Sequence, residues 1–217
     1  MDRKLFLIEQ EVDVLASRIM LAGHLSIPES AKGIVVFAHG SGSSRNSPRN
    51  LAVAQVLNKN GLATLLFDLL TKEEESDRGN VFNIELLAER LLDATSWLRA
   101  QQDLTQMPVG YFGASTGAVA ALRAAADPDA NVSAVVSRGG RADMAAERLG
   151  KVKTPTLLIV GGNDDVVIEL NRLAQAQLQC ENQLLIIPGA THLFEEPGAL
   201  DQVANLACRW FLKYLPR

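Results

Sequence analysis

The chain has 217 residues, 47% hydrophobic and 21% charged, with a formal net charge of −4. That profile predicts one globular domain, residues 1–217, and 21 basic against 25 acidic side chains with no long run of either sign argue against a nucleic-acid partner. Cys180 and Cys208 lie far apart without a CxxC spacing, so neither a disulfide framework nor a metal site is expected.

In chain order, residues 4–9 and 12–27 read as strands, their apolar residues mixed with polar ones as in an antiparallel pair with one solvated face. The acidic residues Glu9, Glu11 and Asp13 interrupt any apolar run at the start. A secretory signal or membrane span needs a longer unbroken stretch, so a cytoplasmic protein without a membrane partner is expected. From Gly33 the character changes. IVVFA (34–38) is wholly apolar and β-branched, as a strand buried on both faces requires, and similar runs follow at 63–67, 109–113, 132–136, 156–160 and 183–187. Helical spacing fills the intervals at 50–60, where Gly61 suits a left-handed cap, and at 81–102, 116–126, 166–179 and 199–215. This alternation predicts an α/β fold, a mostly parallel sheet with helices on both faces. The stretch 137–155 has room for a short helix at 142–149 but not for a cap domain, so an open site is expected.

Gly113-Ala114-Ser115-Thr116-Gly117 is a G-x-S-x-G sequence set between an apolar strand and an alanine-rich helix. A nucleophilic serine needs that context: a sharp strand-to-helix turn lifts its hydroxyl above the sheet, and small flanking residues avoid collisions. The N-terminus of the following helix also presents unpaired N–H groups and a positive dipole end to a developing oxyanion. On such a turn the acid and the base follow the serine in chain order. Of the three histidines, His24, His39 and His192, only His192 lies after Ser115. It sits in IIPGATHLFEEPG, just beyond the last apolar run. The loop after TLLIV offers two carboxylates, Asp164 and Asp165, either able to accept the imidazole N–H. Asp164 is preferred for its offset from Val167, which leaves the other carboxylate to cap the following helix.

The first buried strand ends in His39-Gly40-Ser41-Gly42-Ser43-Ser44. Such a turn can aim the Ser41 N–H at the same point as that of Thr116, completing an oxyanion hole, with His39 as scaffold. Without a Lys-Ser/Thr ending or a G-x-G-x-x-G it is not a nucleotide cradle. Four arginines, Arg45, Arg49, Arg138 and Arg141, fall in loops at the same end of the sheet. Most are expected to brace loops against Asp68, Glu73, Glu195 or Glu196. Arg138 is the candidate for contact with a substrate carboxylate or phosphate.

Together, FAHGSGSS, YFGASTG, LLIVGGNDD and PGATHLFEEPG resemble the dienelactone hydrolase-like branch of the α/β-hydrolases, from about residue 20 to the end. The likeness is to short bacterial members, some of which occur beside or fused to phosphoribosyltransferases. It implies a sheet of about eight strands, minimal or no cap, a triad of Ser115, Asp164 and His192, no metal or cofactor, and hydrolysis of a small carboxylic ester or lactone. Dienelactone hydrolases proper use a cysteine where this chain has Ser115, which favours simple ester cleavage. The competing expectations are acyl transfer to another acceptor, including perhydrolysis, on the same three residues, and a non-catalytic binding protein that keeps the fold.

Overall fold

A computed structural model describes residues 7–215. Eight strands form one sheet in the order β1-β2-β4-β3-β5-β6-β7-β8. The strands are β1 (Leu7–Ala16), β2 (Ile19–Pro28), β3 (Ile34–Ala38), β4 (Ala63–Phe67), β5 (Val109–Ala114), β6 (Ala134–Arg138), β7 (Thr156–Gly161) and β8 (Asn182–Ile187). β1 and β2 are antiparallel, as are β2 and β4, and every pairing from β4 through β3 to β8 is parallel. The expected α/β-hydrolase architecture is present.

Strand alternation divides the core between two faces. Ile34 and Val36 face one side, where α4 (Ile84–Ala100), α5 (Thr116–Ala125) and α7 (Asp165–Gln177) pack through Leu87, Leu91, Val119 and Ala174. Val35 and Phe37 face the other, covered by α1 (Pro48–Lys59) and α8 (Ala199–Tyr214) through Val53, Leu57, Val203 and Phe211. No helix among the described residues is long and apolar enough to cross a membrane.

The first hairpin differs from the sequence reading. Residues 4–6 lie outside the described residues, and the break falls at Ser17 and Arg18 instead of near residue 10. Glu9, Glu11 and Asp13 do not end a strand; they are exposed on an outermost one, where water solvates them. Ser17 takes a φ of +54, the left-handed conformation that two-residue hairpin turns use. Two short helices, α2 (Lys72–Glu75) and α3 (Arg78–Val81), fill a segment given no element from sequence. Thr71 and Glu74 form a reciprocal capping box at the first of them. The expected short helix at 142–149 is a 3-10 turn at Ala142–Ala145 continued by α6 (Ala146–Leu149).

Strand β5 and helix α5 meet at Ser115 with almost no space to spare. A Cβ at Gly117 would lie 2.2 Å from the Ala38 carbonyl oxygen and 2.5 Å from that of His39, and one at Gly113 would lie 2.4 Å from Ala118 Cα. These neighbours are backbone and cannot rotate away. Gly117→Ala is therefore expected to destabilise the protein by about 3 kcal/mol, at the upper end of overpacking costs, read as a lowered urea midpoint.

Candidate active site

The C-terminal ends of the parallel strands carry every group the sequence singled out as chemically active. Ser115 joins β5 to α5 with φ +52 and ψ −118, a strained conformation for a residue with a side chain. Two hydrogen bonds hold it there. Its N–H donates to the Arg138 carbonyl at 2.9 Å, and its carbonyl accepts from Ala118 N–H at 3.0 Å. The strain thus directs the hydroxyl out of the turn instead of relaxing into the helix.

His192 comes from the loop after β8. Its Nε2 is 3.3 Å from Ser115 Oγ, and its Nδ1 is 2.7 Å from Asp164 Oδ2. With Nδ1–H donated to the carboxylate, Nε2 keeps a lone pair for the serine proton. The loop is seated closely, since a Cβ at Gly139 would lie 3.4 Å from His192 Cε1. Asp164 is only 19% exposed and precedes α7 without capping it through its side chain, whereas Asp165 is exposed and begins the helix. Of the two candidate acids, the structure brings Asp164 to the histidine.

Opposite this row, a Cβ at Gly40 would lie 3.2 Å from Ser115 Cβ, so the turn containing Ser41 stands beside the serine. Neither the Ser41 N–H nor the Thr116 N–H donates to another group among the described residues. His39 is buried under that turn, its Nδ1 3.0 Å from the Gly40 carbonyl and its Nε2 accepting from Leu69 N–H at 3.1 Å. Asp68, one of the acids expected to brace the loop arginines, adds a second brace here. It accepts from Arg45 N–H at 2.7 Å and pairs with the Arg45 guanidinium. The loop after β4 thereby holds both ends of the glycine-rich turn.

Burial pushes the His39 imidazole below the usual histidine range, with the Gly40 carbonyl and Asp68 opposing it. A histidine whose folded value lies below its unfolded one contributes stability that is complete above about pH 6.5 and is lost as pH falls. Thermal melts are expected to show a falling Tm from about pH 7 downward, with part of that slope removed by His39→Gln.

The arginines divide. Arg45 pairs with Asp68, Arg49 with Glu195 at 3.0 Å, and Arg141 with Asp143 at 2.8 Å, so three brace loops. Arg138 is 7% exposed and has no acidic partner among the described residues; its guanidinium lies 5.9 Å from the Phe194 ring centroid. A groove of about 600 Å³ runs along the oxyanion turn to Arg49, between Ser41, Ser43, Ser47 and Glu75. A second hollow, lined by Asp127, Pro128, Lys151 and Lys153, is made by other residues and includes no member of the Ser115–His192–Asp164 row.

A hydroxyl, an imidazole and a carboxylate aligned over this sheet define a class. Residues 31–209 match the family model of an alpha/beta hydrolase domain, and the chain belongs to that family, in its dienelactone hydrolase-like branch. A solved dienelactone hydrolase from Anabaena variabilis is 57% identical, with a TM-score of 0.94 over 96% of this chain and 99% of that one. A Mycobacterium tuberculosis protein, provisionally named a phosphoribosyl transferase, is 65% identical over 207 residues, 95% of this chain. Those residues are 47% of the relative, so the chain spans about half its length. Est1E from Butyrivibrio proteoclasticus shares the fold at 16% identity, with a TM-score of 0.80 over 94% of this chain and 98% of that one.

Proposed function

We propose that the chain is a serine-dependent hydrolase of small carboxylic esters, lactones included, working through an acyl-enzyme on Ser115. The observation that carries this reading is the continuous row from Ser115 Oγ through His192 to Asp164, with steps of 3.3 and 2.7 Å. His192 Nε2 takes the hydroxyl proton as Ser115 Oγ attacks the ester carbonyl. Asp164 holds the Nδ1–H tautomer and stabilises the imidazolium. The oxyanion is received by the N–H groups of Ser41 and Thr116, and loss of one such donor costs about 3–4 kcal/mol of transition-state stabilisation. His192 returns its proton to the departing alkoxide, then activates a water that releases the acid and regenerates Ser115.

The dienelactone hydrolase name of the Anabaena variabilis structure supports the lactone part of this reading. The Mycobacterium tuberculosis relative carries a transferase name, and about half of that protein lies outside the match. The reading is tested by incubation with a fluorophosphonate followed by peptide mass analysis. One adduct on the Ser115 peptide, formed in parallel with loss of aryl-ester turnover, is expected. Turnover that persists in fully labelled protein would falsify the assignment.

A further inference from the structure

Asn171 is a polar side chain in a place where the fold asks for an apolar one. It lies in the middle of α7, fully buried, on the same stripe as Val167 and Ala174. Asparagine is a poor helix former, and a buried amide costs stability unless its polar atoms are paired. Here the pairing is incomplete. Nδ2 donates to the carbonyls of Val167 and Gly140, both at 2.8 Å, while Oδ1 has no partner among the described residues. The first bond stays within the helix. The second leaves it and spans 31 positions of the chain.

Gly140 belongs to the turn after β6, and that turn meets each part of the row above the sheet. The Arg138 carbonyl holds the Ser115 N–H, and the Gly139 N–H donates to the Ile159 carbonyl of β7 at 2.8 Å. A Cβ on Gly139 would lie 3.4 Å from His192 Cε1 and 3.5 Å from its Nδ1, so the imidazole rests against this turn. Gly140 is wedged against the helix of the nucleophile, where a Cβ would lie 2.5 Å from Ala118 Cβ. Two successive glycines, the first at φ +59, bring no side chain with which to fix the turn, so its anchor comes from outside. Asp164, at the entry to α7, stands about two helical turns before Asn171. The acid is thus carried by α7 and the base is seated on the glycine turn. Among the described residues, the one side-chain hydrogen bond from α7 to that turn is Asn171 to Gly140.

We infer that Asn171 is a positioning residue for the triad. Its bond to Gly140 sets the distance between the turn that seats His192 and the helix that carries Asp164, and with it the 2.7 Å contact of Asp164 Oδ2 with His192 Nδ1. Asn171 acts through those two residues and takes no part in making or breaking bonds. An apolar side chain of similar size would still fill the space, but it would leave the buried Gly140 carbonyl without a donor, and the turn would shift. Small displacements of aligned groups cost rate out of proportion to their size.

This inference rests on the ester-hydrolase reading, and its test has one arm that does not. Turnover of an aryl ester is measured per Ser115 labelled by a fluorophosphonate, so that unfolded chains do not count. Asn171→Leu removes both donors. Asn171→Ser keeps a hydroxyl able to bond the carbonyl one turn back, at Val167, but too short to reach Gly140. Each is expected to lower kcat by about tenfold, the worth of one neutral hydrogen bond, with KM changed by less than about twofold. Ala174→Gly, on the same buried stripe, should lower the Tm comparably and leave kcat unchanged. The second arm is the proton spectrum of the resting enzyme. The Nδ1–H that His192 donates to Asp164 gives a low-field signal, identified by its loss in His192→Gln, and Asn171→Ser should move it to higher field. A kcat unaltered in both Asn171 variants, a loss confined to Asn171→Leu, or an equal loss in Ala174→Gly overturns the inference. So does a His192 signal that Asn171→Ser leaves in place. If wild type cleaves no ester, the hydrolase reading fails, and that signal alone decides for or against Asn171.

Discussion

Ser115→Ala is expected to lower kcat for an aryl ester by about a millionfold, the scale on which nucleophile loss acts in enzymes of this mechanism. Much of the acceleration depends on one oxygen, because the imidazole and the oxyanion donors are arranged around an attack that only Ser115 Oγ makes. Binding and the oxyanion donors still favour direct attack by water, so the residual rate should exceed the uncatalysed one. The substitution also separates chemistry from folding. Alanine keeps the Cβ in the strained turn at φ +52, whereas glycine relieves it. Ser115→Gly should therefore melt above Ser115→Ala while being equally inactive. A variant of either kind that retained full turnover would place the nucleophile elsewhere.

Asp164→Asn and Asp165→Asn, the same substitution at adjacent positions, should differ by more than about three orders of magnitude in kcat. Asp164 Oδ2 lies 2.7 Å from His192 Nδ1. An amide there can present its NH2 group to that nitrogen, which favours the tautomer with the proton on Nε2, and a protonated Nε2 cannot act as base. The expected loss in kcat is about ten-thousandfold. Asp165 is exposed at the start of α7, so its replacement should change kcat by less than about threefold, the scale of surface substitutions. The pH–rate profile provides a second check. Asp164→Asn should alter the ionisation that activates the enzyme, while Asp165→Asn should leave the profile unchanged.

Much of the sheet was legible because burial on both faces leaves a strong trace. Runs such as IVVFA and TLLIV admit little besides central parallel strands, and G-x-S-x-G between strand and helix fixed the candidate nucleophile. Chain order then selected one histidine of three. What was obscure depended on distances between segments remote in sequence. The hairpin turn escaped because acidic residues on an outer strand look like a loop when their solvated side is not known. Asp164 and Asp165 were separated only by where α7 begins, which one residue of register decides. Asp68 was expected to brace one of the loop arginines, but that it holds Arg45, 23 positions away, depends on how two loops are brought together. The segment after Asp68 was different: Thr71 followed by Glu74 is a capping box visible in the letters themselves.

The His192 side chain is 40% exposed. In the proposed mechanism, water would therefore reach the imidazole beside an acyl group on Ser115, and the lifetime of that group would depend on how quickly the imidazole activates a molecule that is always at hand. Exposure shortens that lifetime, and with it the interval in which an alcohol, amine or peroxide has a chance to intercept the intermediate. Enzymes that keep an intermediate for such partners generally shut water out first. In the proposed reaction, the open imidazole would favour prompt release of the acid.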